Sequence, residues 1–308
     1  MHSEVVETKA NETAAGSAAR ETRTVPLRLG LLDQEYARAS TSVGIPSCPE
    51  ILVELAAEAA KEDPDLKRVS QLVARDVGLS AALIKMVNSP FYGLRTKIAT
   101  VKQAISLLGL LSVSRTIAGL VLRKSWHSKD PAAMERFWDT SSKVAAAAGA
   151  LATLLPGPTA EEAYTFGLFR CCGIAALMQK YPDYKQTLHA ANQAWRQEFS
   201  QVEREAYGTD HATIGSLMAR TWQLPESLYL AIRYHNDYEV LSEVPRQLPV
   251  RSLELIALGV LAERSVQLQT GRAASSEWDK GGAAAMAFLR IEPTEIDSVF
   301  AEARAVAG

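Results

Sequence analysis

The chain has 308 residues and a formal net charge of −2, with 47% hydrophobic and 22% charged residues. This is an ordinary soluble composition, long enough for one large domain or two smaller ones with a substantial core. Three cysteines, two of them adjacent at Cys171 and Cys172, exclude a disulfide framework, and the polar start MHSEVVETKANETAAGSAARETR has no apolar stretch of the secretory kind. These features point to the cytoplasm.

Residues 1–23 are rich in Ala, Glu, Thr and Ser and hold almost no large apolar side chains. They cannot bury enough surface to offset their ordering entropy, so a disordered tail is expected. Residues 24–41 read as a helical extension, and from Pro26 nearly every stretch has helical spacing. In PEILVELAAEAAK, Ile51, Leu52, Leu55, Ala56 and Ala59 share a stripe and Pro49 marks the start. The run ISLLGLLSVSRTIAGLVL, Ile105 to Leu122, is the most membrane-like in the chain. Arg115 near its middle and four hydroxyl residues favour a buried helix of a soluble fold.

In FWDTSSKVAAAAGALATLL, Phe137, Ser141, Val144, Ala148, Leu151 and Leu155 step by four and three, and the small residues admit a close neighbour. Further helices are predicted over 161–179, 184–195, 211–222, 226–235, 250–267 and 294–305. Turns fall at LPGP, YPDY, LPES and EVPRQLP. No alternating strand pattern appears, so the fold class is all-α. Residues 42–240 read as one helical domain, LSEVPRQLP breaks the pattern, and 241–308 read as an appended helical segment with a soft stretch, TGRAASSEWDKGGAAA.

The charge is unevenly distributed. No acidic residue lies between Asp76 and Asp130, where Lys85, Arg95, Lys97, Lys102, Arg115, Arg123, Lys124 and Lys129 give a formal +8. Such a segment either packs beside acidic neighbours or offers a cationic surface to an anionic partner. Just before it, QLVARDVGLSAALIKMV has the spacing of a DNA-reading helix-turn-helix. Its second helix is too apolar for a groove, since only Ser80, Lys85 and Asn88 could reach a base, and a core hairpin is the better reading.

The apolar run Tyr164 to Met178 contains GLFRCCG, with a positive charge and two cysteines in its middle. Adjacent cysteines on a helix point about 100° apart and Cys48 is distant, so a zinc site built on cysteines is rejected. Buried small apolar side chains are the default, with redox sensing the alternative. His211 in GTDHATIG reads as the neighbour of a helix cap made by Thr209 and Asp210. His235 in AIRYHNDYE reads as a favourable charge at a helix end.

Together, IPSCPEILVELA, VSQLVARDVGLSAALIKMVNSPFYG, TVKQAISLLGL, FGLFRCCGIAAL and EREAYGTDHATIGSLMARTWQLPESLYLAIRYHND resemble the HDOD family, relatives of the HD metal-dependent phosphohydrolases. The resemblance spans about residues 42–240 and implies an all-α HD-type fold. Carried over position by position, the first HD ligand falls near Thr140 and the His-Asp pair on Arg170 and Cys171. The later histidines fall on His211 and on His235 or Asn236, and the closing Asp near Gly259. The resemblance therefore implies that the metal site is lost, with no cofactor and no catalytic residue.

A non-enzymatic bacterial signalling module that binds proteins is the expected function. Arg170, His211 and His235 form a candidate pocket for a nucleotide or phosphate, and Lys85, Arg95, Lys97, Lys102, Arg115, Arg123 and Lys124 a candidate cationic partner surface. The alternatives are a divergent metal-dependent phosphohydrolase using His211, His235 and Asp237, and nucleic-acid binding through residues 85–129. Neither a membrane nor nucleic acid is the expected partner.

Overall fold

A computed structural model describes residues 25–89, 92, 94–125, 130–271 and 275–307. The tail reading for 1–23 and Lys129 of the basic segment lie outside the described residues. Among these residues there is no strand, and the all-α expectation holds.

The amino-terminal part contains α1 (Val25–Ser42), α2 (Glu50–Ala59), α3 (Leu66–Ala74), α4 (Val77–Val87) and α5 (Val101–Lys124). Asp65 and Asp76 cap α3 and α4 by accepting from backbone N–H groups of the first turn. Leu79, Leu83 and Val87 of α4 are buried, so the helix-turn-helix spacing belongs to a core hairpin. The connection from α4 to α5 is held by Asn88, whose side-chain amide donates to the carbonyl of Ile98 and accepts from its N–H, both at 2.8 Å.

Helix α5 is long and apolar enough to cross a membrane by length and composition. In this fold it packs against α2, α3, α4 and α7, with Ile105, Val113, Ile117 and Leu122 in the core. It is bent at Gly109, whose φ of 78° suits glycine, and Arg115 in its second half pairs with Glu162 at 3.2 Å.

The centre is a hairpin of α6 (Pro131–Leu154) and α7 (Ala160–Phe169), joined across LPGP. The predicted single helix over 161–179 is divided. Helix α7 stops at Arg170, Cys171 leaves helical geometry with φ −108° and ψ 12°, and α8 (Cys172–Lys180) begins anew. The hydrophobic pattern runs straight through this break, which is why the sequence hides it. Helices α9 (Tyr184–Gln193), α10 (Phe199–Tyr207), α11 (His211–Thr221) and α12 (Glu226–Tyr234) follow. Gly173 fixes how α8 meets α11, since a Cβ there would stand 2.1 Å from the carbonyl oxygen of His211.

After a 3₁₀ turn at Tyr238–Leu241 come α13 (Val250–Gln269), α14 (Ser276–Leu289) and α15 (Ile296–Ala307). Helix α13 packs on α6, α7 and α12, and α15 packs on α6, so their side chains join the same core as Phe166, Phe169 and Leu177. The stretch expected to be soft contributes most of α14. The Tyr238 ring lies where a side chain on Gly281 would be, and this packing outweighs the low helix propensity of the glycines.

Candidate functional site

The geometry of the site starts with α11. Asp210 caps the helix, accepting from the N–H of Thr213 at 2.7 Å and from its hydroxyl at 3.0 Å, and Arg204 donates to the same carboxylate. Thr209 takes no part in the cap. The cap sets His211 as the first helical residue, fully buried, with Glu203 of α10 directly behind it. One carboxylate oxygen of Glu203 accepts from the His211 backbone N–H at 3.0 Å and from its Nδ1–H at 2.5 Å, while the Tyr184 hydroxyl donates to the other.

The Nε2 of His211 lies 3.1 Å from Nε2 of His235. His235 follows α12, and its Nδ1–H donates to the Ile232 carbonyl at 2.7 Å, so its Nε2 carries a lone pair. The Cys171 sulfur is 3.7 Å from that Nε2. Burial pulls His211 down, but the Glu203 carboxylate and Cys171 outweigh it and raise the imidazole to about 10. Burial and the neighbouring His211 hold His235 well below the usual histidine range. The protonated Nε2 of His211 therefore donates to neutral His235. This corrects the expectation that His235 is a charge at a helix end.

Above this floor lies a cavity of about 690 Å³. Thr140 of α6 lines it, with its hydroxyl donating to the Arg136 carbonyl. Arg170 also lines it, and its guanidinium bonds Glu263 of α13 at 2.8 Å. Asn236 also lines the cavity and donates to Glu277 of α14, whereas His235 is the residue whose ring meets His211. Gly259 does not line the cavity. The Phe166 ring fills the space a side chain there would need, and the acidic residue on this face of α13 is Glu263, one turn on. Asp237, half-buried, is absent from the lining as well.

The adjacent cysteines part company. Cys172 is buried in the core, where burial pushes its thiol well up, whereas Cys171 reaches the cavity and the imidazoles. Cysteine spacing alone does not show this arrangement, because the partners of Cys171 are the two distant imidazoles. Glu203 and Glu263 were also missed. The available signal was Glu203 sharing a helical stripe with Phe199 and Tyr207, a carboxylate where an apolar side chain is expected.

Of the basic segment, Arg115 is paired with Glu162 and Lys124 with Asp76, and Lys85, Arg95, Lys97, Lys102 and Arg123 are exposed.

The fold and site define an all-helical module in which two histidines and a thiol close the floor of a cavity. The HDOD domain family pattern matches residues 45–238, and the chain belongs to that family. An uncharacterized protein of Treponema pallidum is 24% identical over 63% of this chain and 38% of its own length. The uncharacterized protein YuxH of Bacillus subtilis is 42% identical over 21% of this chain and 16% of its own. The chain thus spans well under two thirds of either relative.

Among solved structures, a Shewanella amazonensis protein provisionally named a phosphohydrolase superposes with TM-score 0.64 at 22% identity, covering 90% of this chain and 95% of that one. A Geobacter sulfurreducens HDOD domain protein of unknown function gives 0.62 at 22% identity, over 92% and 98%. A Marinobacter aquaeolei protein provisionally named a signal transduction protein gives 0.57 at 23% identity, over 94% and 68%. At these identities the likeness concerns the fold.

A hard divalent ion such as magnesium or manganese is held by carboxylate and water oxygens. The residues present do not fit such an ion. Among the cavity-lining carboxylates, Glu263 is bonded to Arg170, and Glu277 is bonded to Tyr238, Asn236 and Lys280.

Proposed function

We propose that this protein is a signalling module of the bacterial cytoplasm that works by binding, without phosphoester hydrolysis. The observation that carries this reading is the Arg170–Glu263 ion pair, with Arg170 at the position that the resemblance gives to the histidine of the His-Asp pair. The guanidinium ties up the carboxylate nearest to replacing the lost one, which leaves a hard ion without an oxygen ligand there. The phosphohydrolase alternative also loses its third group, since Asp237 does not line the cavity.

The binding partners are signalling proteins. The exposed Lys85, Arg95, Lys97, Lys102 and Arg123 support an acidic protein face as the complementary surface. The cavity has the volume for a nucleotide-sized ligand, with Arg170, His211 and His235 at its inner end.

The test is a phosphomonoesterase and phosphodiesterase assay of the full chain with Mg²⁺, Mn²⁺ and Fe²⁺ in turn. No turnover above the metal blank is expected. Turnover that disappears in both His211→Ala and His235→Ala would overturn the reading.

A further inference from the structure

We propose that Cys171, His211 and His235 form a three-donor site for one borderline-soft divalent ion of the zinc class, with its fourth position open to the cavity. The proposal goes beyond the signalling reading and stands or falls separately from it.

The first ground is convergence. The Cys171 sulfur and one nitrogen from each imidazole all lie within 4.8 Å of one another. Zinc bonds of about 2.0–2.1 Å to nitrogen and about 2.3 Å to sulfur place tetrahedral donors about 3.3 Å apart for two nitrogens and about 3.6 Å for nitrogen and sulfur. The separations here are 3.1 Å for the two Nε2 atoms and 3.7 Å for Nε2 of His235 and the sulfur.

The second ground is how the imidazoles are held. A histidine that binds a metal through one nitrogen donates its other N–H to a carboxylate or a backbone carbonyl, which fixes tautomer and ring orientation. Both arrangements are present. His211 donates Nδ1–H to Glu203, itself held by Tyr184 and the His211 backbone N–H, and His235 donates Nδ1–H to the Ile232 carbonyl. This leaves the two Nε2 atoms, which share one proton in the metal-free chain, as the donors nearest the Cys171 sulfur, and an ion bound there takes the place of that proton.

The third ground is charge. An ion with two positive charges in a buried site needs two negative ones nearby. A zinc-class ion displaces the proton of a thiol that binds it, so Cys171 as a ligand supplies one and the Glu203 carboxylate behind His211 the other, while Arg170 is paired with Glu263. The donor set of one sulfur and two nitrogens selects zinc or cobalt(II) over magnesium, manganese or calcium. Gly173 keeps α8 against the backbone of His211, so Cys171 and His211 are brought together by the fold itself.

The experiment uses the full chain, stripped with a chelator and titrated with cobalt(II). The expected result is a thiolate-to-cobalt charge-transfer band that saturates at one ion per chain and vanishes on adding zinc. The band should be missing from Cys171→Ser and unchanged in Cys48→Ser. Glu203→Gln should weaken cobalt binding by about 10–100-fold. A second readout needs no variant: zinc should protect Cys171, and not Cys48, from alkylation followed by mass spectrometry. Absence of the band in folded wild-type protein, or a band that survives Cys171→Ser, would overturn the proposal, as would equal alkylation of Cys171 with and without zinc.

Discussion

Glu203 accepts from both the backbone N–H and the Nδ1–H of His211, so one carboxylate fixes the start of α11 and the orientation of its imidazole together. Neither residue is exposed: the side chains are 0% and 1% accessible. Removing one partner of a buried charged pair leaves the other desolvated and uncompensated, at about 3–5 kcal/mol. Glu203→Ala is therefore expected to lower unfolding stability by about that amount, measured by urea denaturation. Glu203→Gln, which retains shape and hydrogen-bonding capacity, should lose less. A loss under about 1 kcal/mol for the alanine variant would contradict the role assigned to the carboxylate.

Gly173 is where α8 meets α11. A Cβ there would lie 2.1 Å from the His211 carbonyl oxygen, a backbone atom that cannot rotate aside. Gly173→Ala should cost about 1–3 kcal/mol or more and lower the thermal midpoint. Gly44 has nothing within 4 Å of the corresponding position. Gly44→Ala is expected to be neutral or to stabilise by up to about 1 kcal/mol through the unfolded chain. Equal effects for the two substitutions would show that the α8–α11 seat is not constrained.

The Arg170–Glu263 pair links the break after α7 to α13. Arg170→Met alone should destabilise by about 3 kcal/mol, because Glu263 then faces a partly buried site without its counter-charge. Adding Glu263→Leu should recover most of the loss. A double-mutant cycle in chemical denaturation should give a coupling of about 0.5–3 kcal/mol, and strict additivity would refute direct pairing.

Tyr36 on α1 shares a 2.7 Å hydrogen bond with Ser216 on α11, and burial pushes its phenol up to about 12. The folded chain thus holds this proton more tightly than the unfolded chain, whose tyrosine titrates near 10. The contribution is complete below pH 10 and is lost as pH rises from 10 towards 12, at up to about 1.4 kcal/mol per pH unit. Alkaline stability curves of Tyr36→Phe should be shallower over that window. Ser216 keeps a partner in the variant, since its hydroxyl also donates to the Tyr229 carbonyl. Superimposable curves would contradict the assignment.

The all-helical class and the family could be read from local signals. The Asp210 cap and the Pro225 that opens α12 both act within a few residues of chain, where spacing speaks directly. The site depends on contacts that spacing does not encode. Cys171 and His235 are 64 residues apart and Arg170 and Glu263 are 93 apart. The break between α7 and α8 was hidden because apolar residues continue on both sides of it. Helix α14 was hidden because Gly281 and Gly282 weaken its intrinsic propensity, while the Tyr238 ring that packs on Gly281 comes from outside the helix.

The cavity has two authors within one chain. His211, His235 and Cys171, at its floor, fall inside the HDOD match, which ends at residue 238, whereas Glu263, Gln267, Ser275 and Glu277 on its wall come after it. The floor is locked into the helix seat at Gly173 and the Glu203 carboxylate, so few substitutions there leave the fold intact. The wall lies outside that seat: Glu263 is tied to Arg170 and Glu277 to Asn236, whereas Gln267 and Ser275 bond one another and are the wall positions with room to vary. Descendants of a common ancestor could thus keep the same inner chemistry yet admit different guests, with selectivity written in the last helices and reactivity in the middle ones.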